Sequence, residues 1–164
     1  MSRLSAVLGN EYQNNKLSIV TKPVRIGDAT FKVRIPTVGE QEQINKRIIE
    51  IDEEKVEQFY HEATKDLWAF KDEPIPENSE IKVEYLENDI LVNGKSMREA
   101  ARTRAAVEAR VMETFKLIVP QEGADWSQVS YQDIQEELPW EIQLEVVNKI
   151  LEAINPSYKD IKEK

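Results

Sequence analysis

The sequence has no cysteine and only one histidine, His61, among 164 residues. A chain without thiols has no thiolate nucleophile, no disulfide and no zinc–thiolate centre. A single imidazole likewise excludes a multi-histidine metal site and a histidine cluster that switches with pH. These absences remove several common metal and redox chemistries before any motif is considered.

Glycine is also sparse, and its five residues lie too far apart for a Walker A loop or a GxGxxG turn. No motif pairs His61 with a nucleophile and an orienting acid, a pattern typical of a surface or boundary histidine. The acidic run at residues 50–54 lacks the glycine turn of a calcium loop and is typical of a solvated helix face. We therefore expect no catalytic residue, no cofactor and no metal. A small enzyme, with a pocket around His61 or the acidic clusters, is a third hypothesis.

Long apolar runs are absent too: no stretch of about 18 apolar residues occurs, so the sequence predicts no membrane-spanning helix. Residues 1–15 contain one basic residue and too short an apolar stretch for a secretory signal. We expect a soluble, intracellular protein.

Charge is plentiful and unevenly spread. The chain has 22 Lys and Arg against 31 Asp and Glu, a net charge of −9, which disfavours binding to the phosphates of nucleic acid. Residues 14–34 carry five bases and one acid, whereas residues 117–148 carry seven acids and no base. This separation predicts a dipolar protein that assembles through complementary patches.

A nucleic-acid surface is the alternative interpretation of four arginines in one predicted helix, Arg98, Arg102, Arg104 and Arg110. Helical spacing places Arg98 and Arg102 on one face but turns Arg104 away from it. Glutamates in the same helix offer ordinary intrahelical partners, so we expect no nucleic-acid site.

The first predicted β-hairpin joins a run at residues 17–26 to a run at residues 30–35 through a loop that contains Gly27. The second run alternates apolar and basic residues, the period of a half-buried strand. Pro23 has no amide donor and therefore predicts an edge position. A short helix is expected over residues 2–10.

The remaining pattern is mostly helical. Capping boxes at Thr37–Glu40 and Ser96–Glu99 each begin a predicted helix, and the second of these is alanine-rich, is expected to pack centrally and ends near Ile118. A second hairpin, from alternating residues 81–85 and the run 90–92, precedes that helix. Other predicted helical segments have apolar stripes at helical spacing, over residues 56–70 and 140–154, and Ser130 caps a short turn.

These patterns predict an α+β fold, a helix-dominated single domain with two short β-hairpins, each followed by a helix. We expect an N-terminal leader at residues 1–16, the α+β domain at residues 17–155 and a charged C-terminal tail at residues 156–164.

Five apolar residues are candidates for partner binding. Trp126 lies in a predicted loop, where exposure is expected, although it also fits a plug at one end of the core. Trp140, Leu144, Val147 and Leu151 follow one line of the last helix. That line either packs into the protein's own core or receives a partner helix in a helix-in-groove contact.

The order of these elements resembles the tail assembly chaperones of long-tailed bacteriophages. The resemblance rests on the hairpin sequence KPVRIGDATFKVRIPTVGEQEQI, on its passage through Ile35-Pro36-Thr37 into an acid-rich helix, and on the closing helix LPWEIQLEVVNKILEAINP. It covers most of the chain as a pattern of elements.

The resemblance implies a non-enzymatic protein of the infected host cell's cytoplasm. Such chaperones coat the helical tape measure protein, keep it soluble and help tail tube protein polymerise around it, without nucleic acid or membrane. The family also often makes a minority product extended by ribosomal frameshifting, here expected at the charged tail. A similar strand-to-helix junction in small baseplate-associated phage proteins leaves an alternative: a structural tail or baseplate component of the virion.

We also expect reversible homo-oligomers, as rings or short spirals. A protein that coats an extended partner gains from multivalency, because linked weak contacts multiply in effect. Open strand edges on the two hairpins and the opposite charge patches are the features expected to join the copies.

Overall fold

The computed structural model describes residues 2–73 and 80–155, which are dominated by helices. The helices are α1 Arg3–Leu8, α2 Asn10–Ile19, α3 Val38–Ile49, α4 Glu53–Ala69, α5 Met97–Phe115, α6 Tyr131–Glu137 and α7 Trp140–Ile154. The strands are β1 Thr21–Ile26, β2 Ala29–Arg34, β3 Val83–Tyr85, β4 Ile90–Val92 and β5 Lys95–Ser96. The predicted helix-dominated α+β class is confirmed. The predicted tail at residues 156–164 lies outside the described residues.

The chain divides into two compact units. Unit 1 comprises residues 1–44 and 111–164, and unit 2 comprises residues 45–110. Helices α3 and α5 each contribute residues to both units. The predicted domain at residues 17–155 therefore contains unit 2 and the larger part of unit 1.

The first strand begins later than predicted. Residues 17–19 end helix α2, and the amide of Val20 still donates to the carbonyl of Lys16 at 3.2 Å. The apolar residues of this run fit a strand by composition, but the helical hydrogen bonds of the preceding turn continue through them. The strand starts only at Thr21, and Leu17 and Ile19 are exposed.

Strands β1 and β2 form the first predicted hairpin, in unit 1. Pro23 faces Lys32, whose carbonyl accepts from the amide of Val119 at 2.8 Å and so points away from β1. Residues at this pair do not bond to each other, so Pro23 takes a position that needs no ladder donor. Its predicted edge position is confirmed. Gly27 has the positive φ of 58° that the connecting turn requires.

The far edge of β2 is covered by residues 117–119. The amide of Arg34 donates to the carbonyl of Leu117 at 2.7 Å, and Val33 forms an antiparallel bridge with Ile118. Helix α5 consequently ends at Phe115, and the predicted end near Ile118 is wrong. The carbonyl of Leu117 and the amide of Val119 bond to β2 and not to a further helical turn. An extended backbone is also favoured at Val119, because it precedes Pro120.

Helix α7 lies against this hairpin. The Lys22 ammonium donates to the carbonyl of Ala153 at 2.9 Å, and the Lys149 ammonium donates to the carbonyl of Arg25 at 2.8 Å. The buried apolar residues of unit 1 come from the hairpin, α3, the end of α5, the segment after it, α6 and α7: Val24, Val33, Ile44, Val111, Phe115, Leu117, Ile134, Val146, Val147 and Ile150.

Unit 2 is built on the packing of α4 against α5. Its core cluster joins the larger side chains of α4 to two small residues of α5: Val56, Phe59, Tyr60, Ala101 and Ala105. Ala101 and Ala105 are both buried in this cluster, which confirms that the alanine-rich helix packs into a core. The predicted apolar stripe differs from the buried residues at its C-terminal end: Ala63 and Phe70 are exposed, and Thr64 is buried in their place.

The second sheet has three strands, in the order β3-β4-β5, where a two-stranded hairpin is predicted. Asn93 and Gly94 have φ values of 51° and 78° and form the tight turn between β4 and β5. The third strand has only two residues, too few to show a period of two in the sequence. It leads directly into α5, whose first turn is capped by the Ser96 hydroxyl on the amide of Glu99 at 3.1 Å.

Candidate partner-binding site

The predicted apolar line of α7 is divided between the surface and the core. Trp140 is 47% exposed and Leu144 is 40% exposed, whereas Leu151 is half-buried and Val147 is buried. The structure therefore leaves Trp140 and Leu144 accessible to a partner and places Val147 inside the core of unit 1.

Helical geometry explains this division. The buried residues of α7 centre on Val146, Val147 and Ile150, and each residue advances roughly 100° around the helix. Trp140, Leu144 and Leu151 then follow one another along the border of the buried face. We call these three residues the α7 flank. The helix is apolar around more than half of its circumference, so spacing alone does not show which apolar residues face the core.

Trp126 is half-buried. Its indole Nε1 donates to the carbonyl of Ile118 at 2.7 Å, and its ring meets Phe115 edge to face with the centroids 6.5 Å apart. Asp125 caps the single 3₁₀ turn that begins at this tryptophan, accepting from the amide of Ser127 at 3.0 Å. The hydrogen bonds from Ser127 lower the pKa of Asp125. The loop thus anchors Trp126 against unit 1 and does not present it as a free surface residue.

Trp126 forms one wall of an apolar groove in unit 1, with a volume of about 320 Å³. The groove is a feature that the sequence does not reveal, because its walls come from the hairpin, the segment after α5, the tryptophan loop and α7. Among the described residues its lining is apolar except for Gln121: Ile26, Phe31, Phe115, Ile118, Val119, Pro120, Trp126, Leu138, Ile142 and Val146. Trp140 and Leu144 are not part of this lining, so the candidate residues belong to two separate surfaces.

Acidic residues adjoin both surfaces in the sequence. Glu122 and Asp125 lie in the loop between Gln121 and Trp126, and Glu141 and Glu145 immediately precede two lining residues of α7. These carboxylates belong to the stretch of residues 117–148 that has seven acids and no base. Such surroundings favour a partner segment with basic residues beside its apolar ones.

The arginines of α5 have partners on another helix of unit 2. Arg98 pairs with Glu57, Arg102 with Glu53 at 2.8 Å, and Arg104 with Glu62 at 3.8 Å, all carboxylates of α4. These three arginines therefore form ion pairs with α4, although glutamates of α5 are also available to them. The two helices share a core cluster, which brings the α4 carboxylates within reach of the long arginine side chains.

Two of these arginines also stack on aromatic rings of the same core. The guanidinium of Arg98 lies 4.0 Å from the centroid of Tyr60, and that of Arg104 lies 4.0 Å from the centroid of Phe59. The guanidinium groups of Arg98 and Arg104 therefore already interact with carboxylates and aromatic rings of unit 2.

The polar residues singled out for chemistry do not converge. His61 is exposed on α4. Among residues 2–73 and 80–155, no group of three or more histidine, aspartate or glutamate side chains is placed to hold a metal ion. In the same ranges, no helix combines the length and apolarity that crossing a bilayer requires.

Comparisons of the chain with protein-family models, with curated proteins and with solved structures find no match.

Proposed function

We propose that the chain is a non-enzymatic tail assembly chaperone of a long-tailed bacteriophage, which binds the tape measure protein and assists assembly of the tail tube. The resemblance of the hairpin, the Ile35-Pro36-Thr37 junction and the closing helix supplies the class of protein. The observation that carries the binding function is the exposed α7 flank, where Trp140 and Leu144 stand one helical turn apart on the surface.

The α7 flank is suited to a helical partner. Large apolar side chains spaced by four residues match the ridges of an amphipathic helix, which buries its own apolar stripe against them. Helix α7 is held on the hairpin by the lysine bonds to Ala153 and Arg25, so the flank is a preorganised surface. A tape measure protein is a long helical partner of this kind.

The acidic character suits a chaperone for an aggregation-prone helix. The chain adds its net charge of −9 to the complex, and a large net charge favours solubility. A contact centred on two exposed residues is also small enough to be displaced when tail tube protein polymerises around the tape measure. On this proposal the protein acts in the cytoplasm of the infected host cell, with the tape measure and tail tube proteins as partners.

Co-expression with the tape measure protein of the same phage tests the proposal. We expect the tape measure protein to be soluble with the unaltered chain and to sediment when it is expressed alone. The double variant Trp140→Ala/Leu144→Ser removes the apolar flank from exposed positions, and we expect it to lose most of the soluble tape measure protein.

The double variant Phe70→Ala/Ile49→Ser is the matched control, because Phe70 directly after α4 and Ile49 at the end of α3 are exposed apolar residues away from α7. It is expected to keep the tape measure protein soluble. A tape measure protein that is equally soluble without the chain would contradict the chaperone function. Equal loss with both double variants would instead contradict the assignment of the flank.

A structural role in the tail or baseplate is the alternative, and the strand-to-helix junction at residues 31–40 favours it. Two interactions hold this junction: Arg34 forms an ion pair with Glu40, and the amide of Glu40 donates to the Thr37 hydroxyl at 3.2 Å. Mass spectrometry of purified virions separates the two functions. A chaperone is absent or present in traces, whereas a baseplate component is found in fixed stoichiometry with the tail proteins.

A further inference from the structure

Helix α1 exposes an apolar stripe. Leu4 is 58% exposed, Val7 82% and Leu8 50%, and their spacing of three and four residues places them on one side of the helix. The only buried residue of α1 is Ser5. A helix of six residues has little stability of its own, and an amphipathic helix normally buries its apolar side against something.

The apolar groove of unit 1 is an unfilled surface of matching chemistry. Among the described residues, ten of its eleven lining side chains are apolar, and none belongs to α1. Its volume of about 320 Å³ lies at the lower end of the range for ligand pockets, a size that admits a few aliphatic side chains.

The charges of the two surfaces are complementary. The segment of residues 2–9 carries Arg3 and no acid. The groove belongs largely to the stretch of residues 117–148, which has no base. Opposite charges steer the two surfaces together and fix their orientation.

The structure disfavours self-association by strand addition to the first hairpin. The outer edge of β2 is covered by residues 117–119. On the outer edge of β1, Pro23 has no amide to donate, and the carbonyl of Arg25 already accepts from Lys149. Pro23 is expected to blunt one edge of this hairpin and leave the other open, and the second part is wrong because residues 117–119 cover the edge of β2. Helix α1 and the groove are the more suitable pair of surfaces.

We propose that α1 of one copy inserts Leu4, Val7 and Leu8 into the apolar groove of a second copy of this chain. The contact is head-to-tail, because the donor and acceptor surfaces of one copy differ, so successive copies form a closed ring or an open spiral. This contact uses neither Trp140 nor Leu144, which leaves the α7 flank of each copy free for another partner.

The absence of cysteine allows a direct test by disulfide trapping in the full chain. Val7→Cys places one thiol on the exposed stripe, and Gln121→Cys places one on the exposed rim of the groove. When the two single variants are mixed and oxidised, we expect a crosslinked dimer that contains one of each. A mixture of Val38→Cys and Gln121→Cys is the control, because Val38 is 79% exposed but lies on α3. We expect several-fold less heterodimer from it.

Sedimentation velocity supplies a second measurement on the same surfaces. The unaltered chain is expected to form oligomers that dissociate on dilution. The arm variant Leu4→Ser/Val7→Ser and the groove variant Phe31→Ser are each expected to be monomeric, with unchanged circular dichroism. Their mixture is expected to stop at dimers, because it retains one intact stripe and one intact groove per pair.

Three results would overturn the proposal. The first is an unaltered chain that stays monomeric at high concentration. The second is a Val7→Cys/Gln121→Cys double variant that closes a disulfide within one chain, because α1 would then occupy its own groove. The third is an oligomer that persists in the arm variant, because another surface would then join the copies.

Discussion

The hydroxyl groups of Tyr60 and Tyr85, both in unit 2, differ in their hydrogen bonding. The Tyr60 hydroxyl is buried and has no hydrogen-bond partner among residues 2–73 and 80–155, whereas the Tyr85 hydroxyl donates to the carbonyl of Leu67 at 2.6 Å. A buried polar group without a partner costs its lost hydration, while a satisfied one contributes to stability. Nothing in the stripe of apolar residues along α4 indicates this difference.

Removing the two hydroxyls is expected to have opposite effects. Tyr60→Phe keeps the ring under Arg98 and should leave the free energy of unfolding unchanged or raise it by about 1 kcal/mol, whereas Tyr85→Phe should lower it by about 1 kcal/mol. Urea unfolding followed by circular dichroism measures both. A Tyr60→Phe variant that is less stable than Tyr85→Phe would show that the Tyr60 hydroxyl has a partner.

Asp89 links the second sheet to the start of α5. Its carboxylate accepts from the amide of Ile90 at 2.8 Å, from the amide of Arg98 at 3.1 Å and from the hydroxyl of Ser96. Partial burial raises the pKa of Asp89, but these hydrogen bonds and the nearby charge of Arg98 outweigh it and hold the pKa below its ordinary value of 3.8.

A lowered pKa means that the folded state favours the ionised carboxylate. The stability from Asp89 is therefore fully present above pH 3.8 and is lost as the pH falls through the lower pKa of the folded state. We expect Asp89→Asn to be less stable than the unaltered chain at about pH 7, and the difference to shrink by about pH 3. Urea unfolding across this range measures it, and a difference that stays constant at low pH would contradict the assigned role.

At the scale of elements, the capped helix starts and the end of α7 are predictable, whereas the end of α5 is not. The caps at Thr37, Ser96 and Ser130 lie next to the helices they begin, so a few residues of sequence contain the whole signal. The end of α5 depends on bonds from residues 117–119 to β2, far away in the sequence. The strand β5 depends in the same way on its pairing with β4.

The segment after α5 makes a specific prediction for hydrogen exchange. The amide of Val119 lies outside regular secondary structure but donates to the carbonyl of Lys32 at 2.8 Å. We expect this amide to be protected to the same degree as those of β2, and the exposed loop at residues 122–125 to exchange quickly. Rapid exchange at Val119 would mean that the edge of β2 is open, and strand addition would become a route to self-association.

The ion pairs between α4 and α5 are expected to contribute little to stability. The four pairs are Arg98–Glu57, Arg102–Glu53, Arg104–Glu62 and Lys55–Glu108, and at least one side chain of each is substantially exposed. Exposed pairs are screened by salt, so about 1 M salt should change the free energy of unfolding by less than about 1 kcal/mol per pair. A loss of several kcal/mol per pair in urea unfolding at high salt would show that the helices are held by charge and not by the apolar cluster.

At the scale of the whole molecule, the sequence predicts the α+β class and a candidate helix, but not the shape of the binding surface. Spacing identifies the apolar residues of α7, yet its apolar arc is too wide to show that Val147 is buried while Trp140 is exposed. The sequence does not reveal the groove, because its walls are assembled from parts of unit 1 that lie far apart in the sequence. The uneven spread of charge, by contrast, is visible in the sequence itself.

Affinity capture during infection tests the proposed chaperone function most directly. The tagged chain is expressed in host cells during phage tail assembly, and the captured phage proteins are quantified by mass spectrometry. We expect the tape measure protein to be strongly enriched with the unaltered chain and with Phe70→Ala/Ile49→Ser, and to be lost with Trp140→Ala/Leu144→Ser. Capture of baseplate proteins without the tape measure protein, together with the chain in purified virions, would contradict the account.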